Sequence, residues 1–502
     1  MHLIRVGIIA GSSRGEGANA GTGHWTKGRQ FRKIDWVFVP GIETSMELTL
    51  SEMFENLRAK VPMPLMAKLV MDRALPPEKV DTWFEENRDR QYTRDLLFST
   101  VFELMNLVAV KVFTSTHAAY QADKEAMAVS VTSLYNKINA VDPMTSRAMV
   151  RGAAVELEKT VMALKGARPG LLPGYRVKLL DGNCLEATEH RLAVLRRTPA
   201  GPLPGKSLVV YDPSLTMVID VFPCEDGHTQ ERALLGDVLS TVESRDVWIW
   251  DRNFCVRDFL AGIQKNGGYF IGRHHKGMAY TPVGEECFVG RTETGAVYEQ
   301  SVTVTGTGDR PPSKYRLIRV SLKTNTRDGE TEILLLTNLS KSAANAKLVA
   351  ELYRRRWEIE TTFQKLEKHL HSEVNSLGYP KAALFAFCIA LVAYDILAVV
   401  AAALRRVHGD EVIQTKVSGF YIAGEISRGY LSLEITISPE EWSQLRALSD
   451  AAHLDLLLRI ASTVNLAKYK KHSRGPRKPR PERTEYLDKP HVSTARLLRD
   501  RK

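Results

Sequence analysis

The sequence predicts an α/β protein in which a mixed-sheet core is interrupted by an inserted antiparallel β segment and preceded by an all-α domain. Three observations predict this fold class. Residues 45–160 carry apolar side chains at helical spacing, the chain from about residue 172 alternates β-rich runs with helical stretches, and residues 268–338 combine β-branched residues with glycines and turn dipeptides. A chain of 502 residues has room for about three domains of ordinary size.

The N-terminal third divides into two parts. Residues 1–32 are rich in Gly, Ser, Ala and Thr without sustained periodicity, so we expect a flexible leader. Residues 33–165 are predicted to form the helical domain, because stretches such as TRDLLFSTVFELMNLVAVKVF repeat apolar residues every three or four positions.

The remaining two thirds are predicted to hold a split core. Residues 166–267 form its first part as three strands, a helix, a strand and a helix, of which the strand runs include RVKLLDG, SLVVYD and VWIWD. Residues 268–340 form the antiparallel insertion, and residues 341–410 form the second, helical part of the core. A helical C-terminal region at 411–467 and a basic tail at 468–502 follow.

One apolar segment, Ala383–Leu404, is long enough to cross a bilayer. It contains Asp395, and a carboxylate at the bilayer centre costs about 2.5–3.5 kcal/mol on insertion scales. We therefore predict a helix buried within a large domain in preference to a membrane span.

The positive charge of the chain is concentrated at its C-terminal end. The 69 Lys and Arg exceed the 58 Asp and Glu by 11, and residues 468–502 hold 13 of the basic residues against 4 acidic ones, a surplus of 9. Because KYKKHSRGPRKPRPER mixes these charges with Gly and Pro, we expect an extended tail that follows a polyanion such as a nucleic acid backbone. The alternative is a disordered end that only increases solubility.

The five cysteines lie far apart and include no CxxC pair, which argues against a zinc or redox motif. Reduced thiols of this kind predict a cytoplasmic protein.

Two aspartates follow apolar runs of the predicted core. Asp181 comes after VKLL and Asp251 after VWIW, and the ends of strands are where α/β sheets place their sites. Each has a structural alternative, since Asp181-Gly182 is also a hairpin signal and Asp251 is also able to start the next helix.

A third acid lies in AKLVAELYRRRWEIETTFQKLEKHLH, which is predicted to be one amphipathic helix. At 100° per residue, Tyr353, Arg356, Glu360 and Glu367 fall within about 60° of one another beside the apolar face. This strip either lines a site or is a solvated flank in which Arg356 and Glu360 form an ordinary i,i+4 pair.

Taken together, LLDGN, WDRNF and YRRRWEIETTF resemble the motifs of the DDE transposases of bacterial insertion elements, specifically the insertion-sequence-four family. The resemblance covers the motifs and their order over residues from about 90 to 500, and it implies an RNase H-like core with a β insertion. It also implies that Asp181, Asp251 and Glu360 form a catalytic triad that binds metal. The cofactor implied is Mg²⁺, with Mn²⁺ as an alternative, as two ions that activate the nucleophile and stabilise the leaving oxygen.

The resemblance further implies that the chain binds the terminal inverted repeats of its element, cleaves the DNA and joins its 3′ ends to target DNA. The helical domain at 33–165 is the expected DNA-binding domain that recognises these repeats. Double-stranded DNA would be the partner, with a homodimer in the DNA complex, no membrane contact, and nucleoid association when DNA is bound. The family has a Lys seven residues after the Glu, where this chain has Glu367, and we expect Lys368 to substitute. The expected DNA contacts are Tyr353, Arg356, Lys368, Lys470, Lys471, Arg474, Arg477 and Lys478.

The sequence is also compatible with two other functions. One is an RNase H-like, Mg²⁺-dependent nuclease without strand transfer. The other is a non-catalytic DNA-end-binding inhibitor from a decayed element.

Overall fold

The computed structural model describes residues 52–500 except positions 90, 92–94, 126, 307, 309–310, 327–328 and 473–490. The predicted flexible leader at 1–32 and the predicted DNA contacts Arg474, Arg477 and Lys478 therefore lie outside the described residues.

In the described chain before the sheet, all regular secondary structure is helical. The helices start at capping residues in several cases: the carboxylate of Asp142 accepts a hydrogen bond from the Met144 N–H, and Pro143 occupies the first helical position of the longest of them. The seven helices of this stretch are α1 (Glu52–Lys60), α2 (Pro62–Ala74), α3 (Pro77–Asn87), α4 (Phe98–Ala109), α5 (Thr116–Ala122), α6 (Val131–Ala140) and α7 (Pro143–Ala163).

A nine-stranded mixed sheet forms the centre of the protein. Its strands are β1 (Arg176–Cys184), β3 (Lys206–Asp212), β4 (Met217–Cys224), β5 (Asp246–Trp250), β6 (Tyr269–Arg273), β7 (Thr281–Arg291), β8 (Gly295–Val304), β9 (Ser313–Leu322) and β10 (Glu332–Thr337), while β2 (Pro202–Leu203) lies outside it. The spatial order is β4-β3-β1-β5-β6-β10-β9-β8-β7.

The sheet changes direction along its width. Strands β4, β3 and β1 are antiparallel neighbours, and β1, β5 and β6 are parallel. The prediction of a wholly antiparallel segment from residue 268 is wrong at its first strand, since β6 pairs parallel with β5. The reason is that strand direction depends on the non-local partner, which a β-rich pattern does not specify. From β10 to β7 the pairing is antiparallel.

Helices cover both faces of the core strands. Alternate residues such as Leu179 and Leu180 belong to two separate buried clusters. Helices α8 (Leu235–Leu239) and α9 (Arg257–Lys265) pack on the face that contains Leu180, Trp248 and Trp250. The opposite face is covered by helices from both ends of the chain.

The long apolar segment is the central helix α12 (Pro380–His408), which follows α10 (Ala346–Arg354) and α11 (Trp357–His369). Among the described residues it is the one helix long and apolar enough to span a membrane, and 94% of its most apolar window is buried inside the protein. Asp395 is fully buried on α12, where its Oδ1 accepts a hydrogen bond from the Val218 N–H at 2.8 Å. A β-bulge next to Val218, between the pairs Val210–Asp220 and Tyr211–Val218, accompanies this contact.

The C-terminal region consists mainly of helices, followed by a short strand that pairs with β2 and by a last helix. Its elements are α13 (Asp410–Lys416), α14 (Gly419–Thr436), α15 (Pro439–Arg446), α16 (Asp450–Thr463), β11 (Val492–Ser493) and α17 (Thr494–Arg499).

Both described ends of the predicted basic tail pack against the rest of the protein, and the expectation of an extended tail is wrong at α17, which is helical. Lys470 forms a β-bridge with Val417, and the Lys471 N–H donates to the Lys416 carbonyl at 2.7 Å. Further on, β11 pairs parallel with β2, and Arg496 contacts Asp226 at 2.7 Å. These contacts join segments that are distant in sequence, so charge and composition alone do not reveal them.

Candidate active site

The register of the parallel strands places the two aspartates opposite each other. The last parallel pair between β1 and β5 joins Leu179 to Ile249, so Asp181 and Asp251 both lie two residues beyond it and on the same face. Asp251 directly follows β5. Asp181, in contrast, is inside β1, because pairing with β3 continues to Cys184. The expectation that Asp181 ends its strand is therefore wrong.

The structural alternative fails for Asp181, whereas Asp251 does start the following 3₁₀ turn, its carbonyl accepting from the Phe254 N–H at 3.1 Å. The strand continues through Gly182, so Asp181-Gly182 is not a hairpin turn. Asp251 precedes a 3₁₀ turn at Arg252–Phe254, but its side chain makes no capping hydrogen bond. The local hydrogen bond of Asp181 is the one its Oδ1 accepts from the Gly182 N–H at 2.9 Å, which leaves Oδ2 to contact Arg356.

The predicted single helix from Leu348 to Leu370 is interrupted at Arg355 and Arg356, between α10 and α11. The amide hydrogens of Arg355, Arg356, Glu358 and Ile359 bond to carbonyls three residues back instead of four. This tightening rotates the side chains away from ideal α-helical positions. The strip of Tyr353, Arg356 and Glu360 nevertheless faces the two aspartates.

Arg356 is the centre of the cluster. Its Nη1 lies 2.6 Å from Glu360 Oε1 and 3.3 Å from Asp181 Oδ2, and its side chain is only 7% exposed. The i,i+4 pair predicted as the alternative thus exists, but it also includes Asp181 and is buried. Tyr353 completes the connection, since its hydroxyl donates to Asp251 Oδ1 at 3.3 Å.

Burial and like charges control the protonation of the site. Burial raises the pKa of Asp181 to about 7, and the carboxylates of Glu360 and Asp251 push it in the same direction, whereas Arg356 and the Gly182 N–H oppose the rise. The pKa of Tyr353 is raised by burial and by Asp251, so its phenol remains protonated and donates.

The residues fit a divalent cation in chemistry. Three carboxylates supply the hard oxygen donors that Mg²⁺ prefers, and burial together with the neighbouring acids raises the pKa of Asp181 in the absence of a metal. The Asn183 Nδ2 is buried without a hydrogen-bond partner in the described part of the chain, and strand alternation puts Asn183 on the same face as Asp181. Within the described residues no three His, Cys, Asp or Glu are grouped as a metal site, and the Arg356 guanidinium lies between Asp181 and Glu360.

Sequence reasoning missed several neighbours of the triad. Arg273, at the end of β6, lies 3.7 Å from Asp251 Oδ1, and it also pairs with Glu330. Glu231 accepts a hydrogen bond from Asn253 and lies so close to Gly182 that a Cβ there would be 2.1 Å from Glu231 Oε1. The strand-end rule that selected Asp251 would also have selected Arg273, but no local pattern marks Glu231.

Comparison with known proteins finds a family model that matches the segment carrying this site. The family model of the transposase DDE domain matches residues 174–396, a range that contains Asp181, Asp251, Arg356 and Glu360. Residues 174–396 therefore carry a transposase DDE domain, and the chain is similar to the DDE transposases of bacterial insertion elements. Domains of this family cleave and transfer nucleic acid and use divalent metal ions.

The relatives of this transposase are distant. It is 27% identical over 263 residues to the transposase for insertion sequence element IS421 of Escherichia coli and to InsL of element IS186A of E. coli strain K12, covering 45% of this chain and 66% of either relative. It is 28% identical over 206 residues to y4zB of Sinorhizobium fredii, covering 40% of this chain and 54% of y4zB. The chain thus matches 66% of the length of the first two relatives and 54% of the third, less than two thirds in each case.

A solved structure also aligns with the transposase, namely the cryo-EM structure of the piggyBac transposase synaptic complex with hairpin DNA. The alignment covers 86% of this chain and 90% of that chain at 12% identity and a TM-score of 0.37. This likeness is too weak to support an argument about activity.

The predicted DNA contacts of the transposase do not all gather at the triad. Tyr353 and Arg356 do. Lys368 is exposed, eight residues and therefore about 12 Å beyond Glu360 along α11. Lys470 and Lys471 lie beside residues 416–418, as described for the tail. Next to Glu367, the Lys111 Nζ donates to the Lys368 carbonyl at 2.9 Å.

Proposed function

We propose that this transposase binds the terminal inverted repeats of an insertion element, cleaves the DNA and transfers the 3′ ends to target DNA by two-metal phosphodiester chemistry. The observation that carries the proposal is the convergence of Asp181, Asp251 and Glu360 around Arg356. The match to the transposase DDE domain supports the same chemistry.

In this proposal Asp181, Asp251 and Glu360 would hold two Mg²⁺ ions. When bound, the ions would activate a water or 3′-hydroxyl and stabilise the leaving oxygen. Arg356 holds the carboxylates of Asp181 and Glu360 in place, and its guanidinium would contact a DNA phosphate through two parallel hydrogen bonds. Tyr353 orients Asp251 through its hydroxyl.

The proposal includes an RNase H-like core. Supporting this assignment is the part of the sheet with order β4-β3-β1-β5-β6, in which three antiparallel strands adjoin three parallel ones that share β1. The strands β7–β10 then form the inserted segment, and the helices before β1 form the DNA-binding domain. We further propose that the transposase acts in the bacterial cytoplasm as a homodimer on its DNA.

The test uses the purified full-length transposase and duplex DNA that carries the flanking element ends, with and without Mg²⁺. Asp181→Asn, Asp251→Asn and Glu360→Gln are each expected to lose cleavage while binding the ends nearly as wild type, because the metal performs chemistry and the basic surfaces supply affinity. Asp237→Asn is the matched control, since Asp237 is an exposed carboxylate on α8, and it should cleave normally.

The rival functions give different results in the same assay. Cleavage without joining would indicate a nuclease without strand transfer. End binding without cleavage by the wild type would indicate a non-catalytic end-binding protein from a decayed element. Substantial cleavage by one of the three variants would remove that residue from the triad.

A further inference from the structure

A second cationic site lies behind the catalytic helix. A cavity of about 390 Å³ is lined by Arg355, Glu358, Thr361, Lys365 and His369 of the α10–α11 segment. On a helix, Glu360 projects about 140–180° away from residues 358, 365 and 369. The cavity and the triad are therefore on opposite faces of α11.

The rest of the cavity wall comes from other elements. Arg405 contributes from α12, Arg168 from the segment before β1, and Lys471 from the start of the tail, with Tyr211 and Tyr394 deeper in the wall. Lys471 is exposed and marks the solvent side of the cavity.

Positive charge in the cavity exceeds the negative charge that faces it. Five cations line it, namely Arg168, Arg355, Lys365, Arg405 and Lys471. Two carboxylates offset them in part: Glu358, which pairs with Arg355 and lies 3.8 Å from Arg168, and Asp410, which lies 3.5 Å from Arg168. Five charges against two leave a surplus of three. His369 adds no charge at neutral pH, because burial and the neighbouring lysines lower its pKa to about 4.

Three guanidinium groups of this wall have a buried N–H without a hydrogen-bond partner in the described part of the chain. These atoms are Arg168 Nε, Arg355 Nε and Arg405 Nη2. Arg405 is only 9% exposed, and its other contacts are the Gly166 carbonyl at 3.0 Å and the Thr216 hydroxyl at 3.4 Å, both uncharged. Burial and Arg168 lower the pKa of Arg405 in spite of Asp410. Arg168 Nε already faces Asp410 Oδ2 at 3.5 Å, although not in hydrogen-bonding geometry. Buried polar atoms are rarely left without partners, so Arg355 Nε and Arg405 Nη2 in one cationic cavity indicate an absent acceptor.

We infer that this cavity binds a phosphate group, whose several oxygens accept hydrogen bonds from converging guanidinium and ammonium donors. The volume leaves room for a pyrophosphate or for a phosphate with an attached sugar. The group comes either from a small phosphate compound or from a DNA backbone at the rear of α11. In both cases the site is separate from the triad and stands independently of the proposed strand transfer.

The test is calorimetric titration of the full-length protein with sodium pyrophosphate in the absence of divalent metal. Wild type is expected to bind, and Lys365→Gln and Arg355→Gln are each expected to weaken binding about tenfold by removing one charged donor. Both side chains are partly exposed, and thermal unfolding verifies that the variants fold. Lys265→Gln, an exposed lysine at the end of α9, is the matched control and should bind as wild type.

Two further arms separate the source of the phosphate and the role of the triad. If Lys365→Gln also weakens binding of a short duplex DNA, the backbone is the ligand; if DNA binding is unchanged while pyrophosphate binding falls, the ligand is a small phosphate compound. Asp181→Asn should retain pyrophosphate binding, because Asp181 lies on the other side of α11. Absence of both pyrophosphate and cavity-dependent DNA binding in wild type, or binding unaffected by the cavity variants, would overturn the assignment.

Discussion

Replacing Arg356 by Gln tests whether a buried guanidinium holds the acidic site together before metal binds. The change removes contacts of 2.6 Å to Glu360 and 3.3 Å to Asp181 from a side chain that is 7% exposed. A hydrogen bond to a charged group contributes about 1.5–3 kcal/mol. Glu360 is 31% exposed and the contact between Arg356 and Asp181 is long, so each of the two hydrogen bonds should contribute near the lower end of this range. We therefore expect the free energy of unfolding to fall by roughly 2–4 kcal/mol.

The size of this effect should depend on pH. Arg356 opposes the rise in the pKa of Asp181, so its removal raises that pKa further. Below about pH 7 Asp181 takes up a proton and the repulsion with Glu360 is relieved. At higher pH Asp181 is ionised beside Glu360, so the destabilisation should be larger at pH 8.5 than at pH 6.

The assay is urea unfolding of wild type and Arg356→Gln at both pH values, without divalent ions and then with Mg²⁺ or Mn²⁺. Saturation of a native-state site to about 100 times its dissociation constant adds about 2.7 kcal/mol, so metal should recover much of the loss in the variant. Arg354→Gln is the control, because its pair with Glu293 at 2.9 Å is between side chains that are 49% and 84% exposed. Equal effects of the two substitutions, or an Arg356→Gln variant insensitive to metal, would refute the buried cluster.

Three other predictions concern separate features. Asp181 has a folded-state pKa of about 7, above its value near 3.8 in the unfolded chain, so its contribution to stability is complete below about pH 4 and is lost as pH rises through about 7. Asp181→Asn should flatten the metal-free profile of stability against pH between these values, and an unchanged profile would contradict the raised pKa of Asp181. Asp395 is fully buried and its pKa is raised well above 3.8. Asp395→Asn keeps an oxygen acceptor and should increase the melting temperature at pH 8 but not at pH 4. Equal shifts of the melting temperature at both pH values would argue against a raised pKa. Changing Arg474, Arg477 and Lys478 together to Gln should weaken binding to specific and random DNA alike and reduce the slope of log affinity against log salt by up to about 3; an unchanged slope in a salt titration would show that these residues do not contact phosphates.

Local spacing was sufficient to predict the elements that carry the triad. The apolar runs before Asp181 and Asp251 predict strands, and the period of the segment around Glu360 predicts a helix, because alternation and the 3.6-residue repeat are properties of neighbouring residues. The types of residue then predict hard oxygen donors for a divalent metal. The same local reasoning predicted that α12 is a buried helix, since Asp395 interrupts its apolar surface.

Tertiary structure decided how those elements meet. The continuation of β1 past Asp181 depends on pairing with β3, and the parallel direction of β6 depends on β5, so neither is written in a local pattern. The burial of Arg356 between Asp181 and Glu360 likewise joins residues 175 positions apart. Lys471 likewise hydrogen-bonds to the carbonyls of Gln414 and Lys416, which are distant from it in sequence. Periodicity within one segment determines which face a side chain occupies, whereas its ionisation and its partners are determined only when another segment packs against that face.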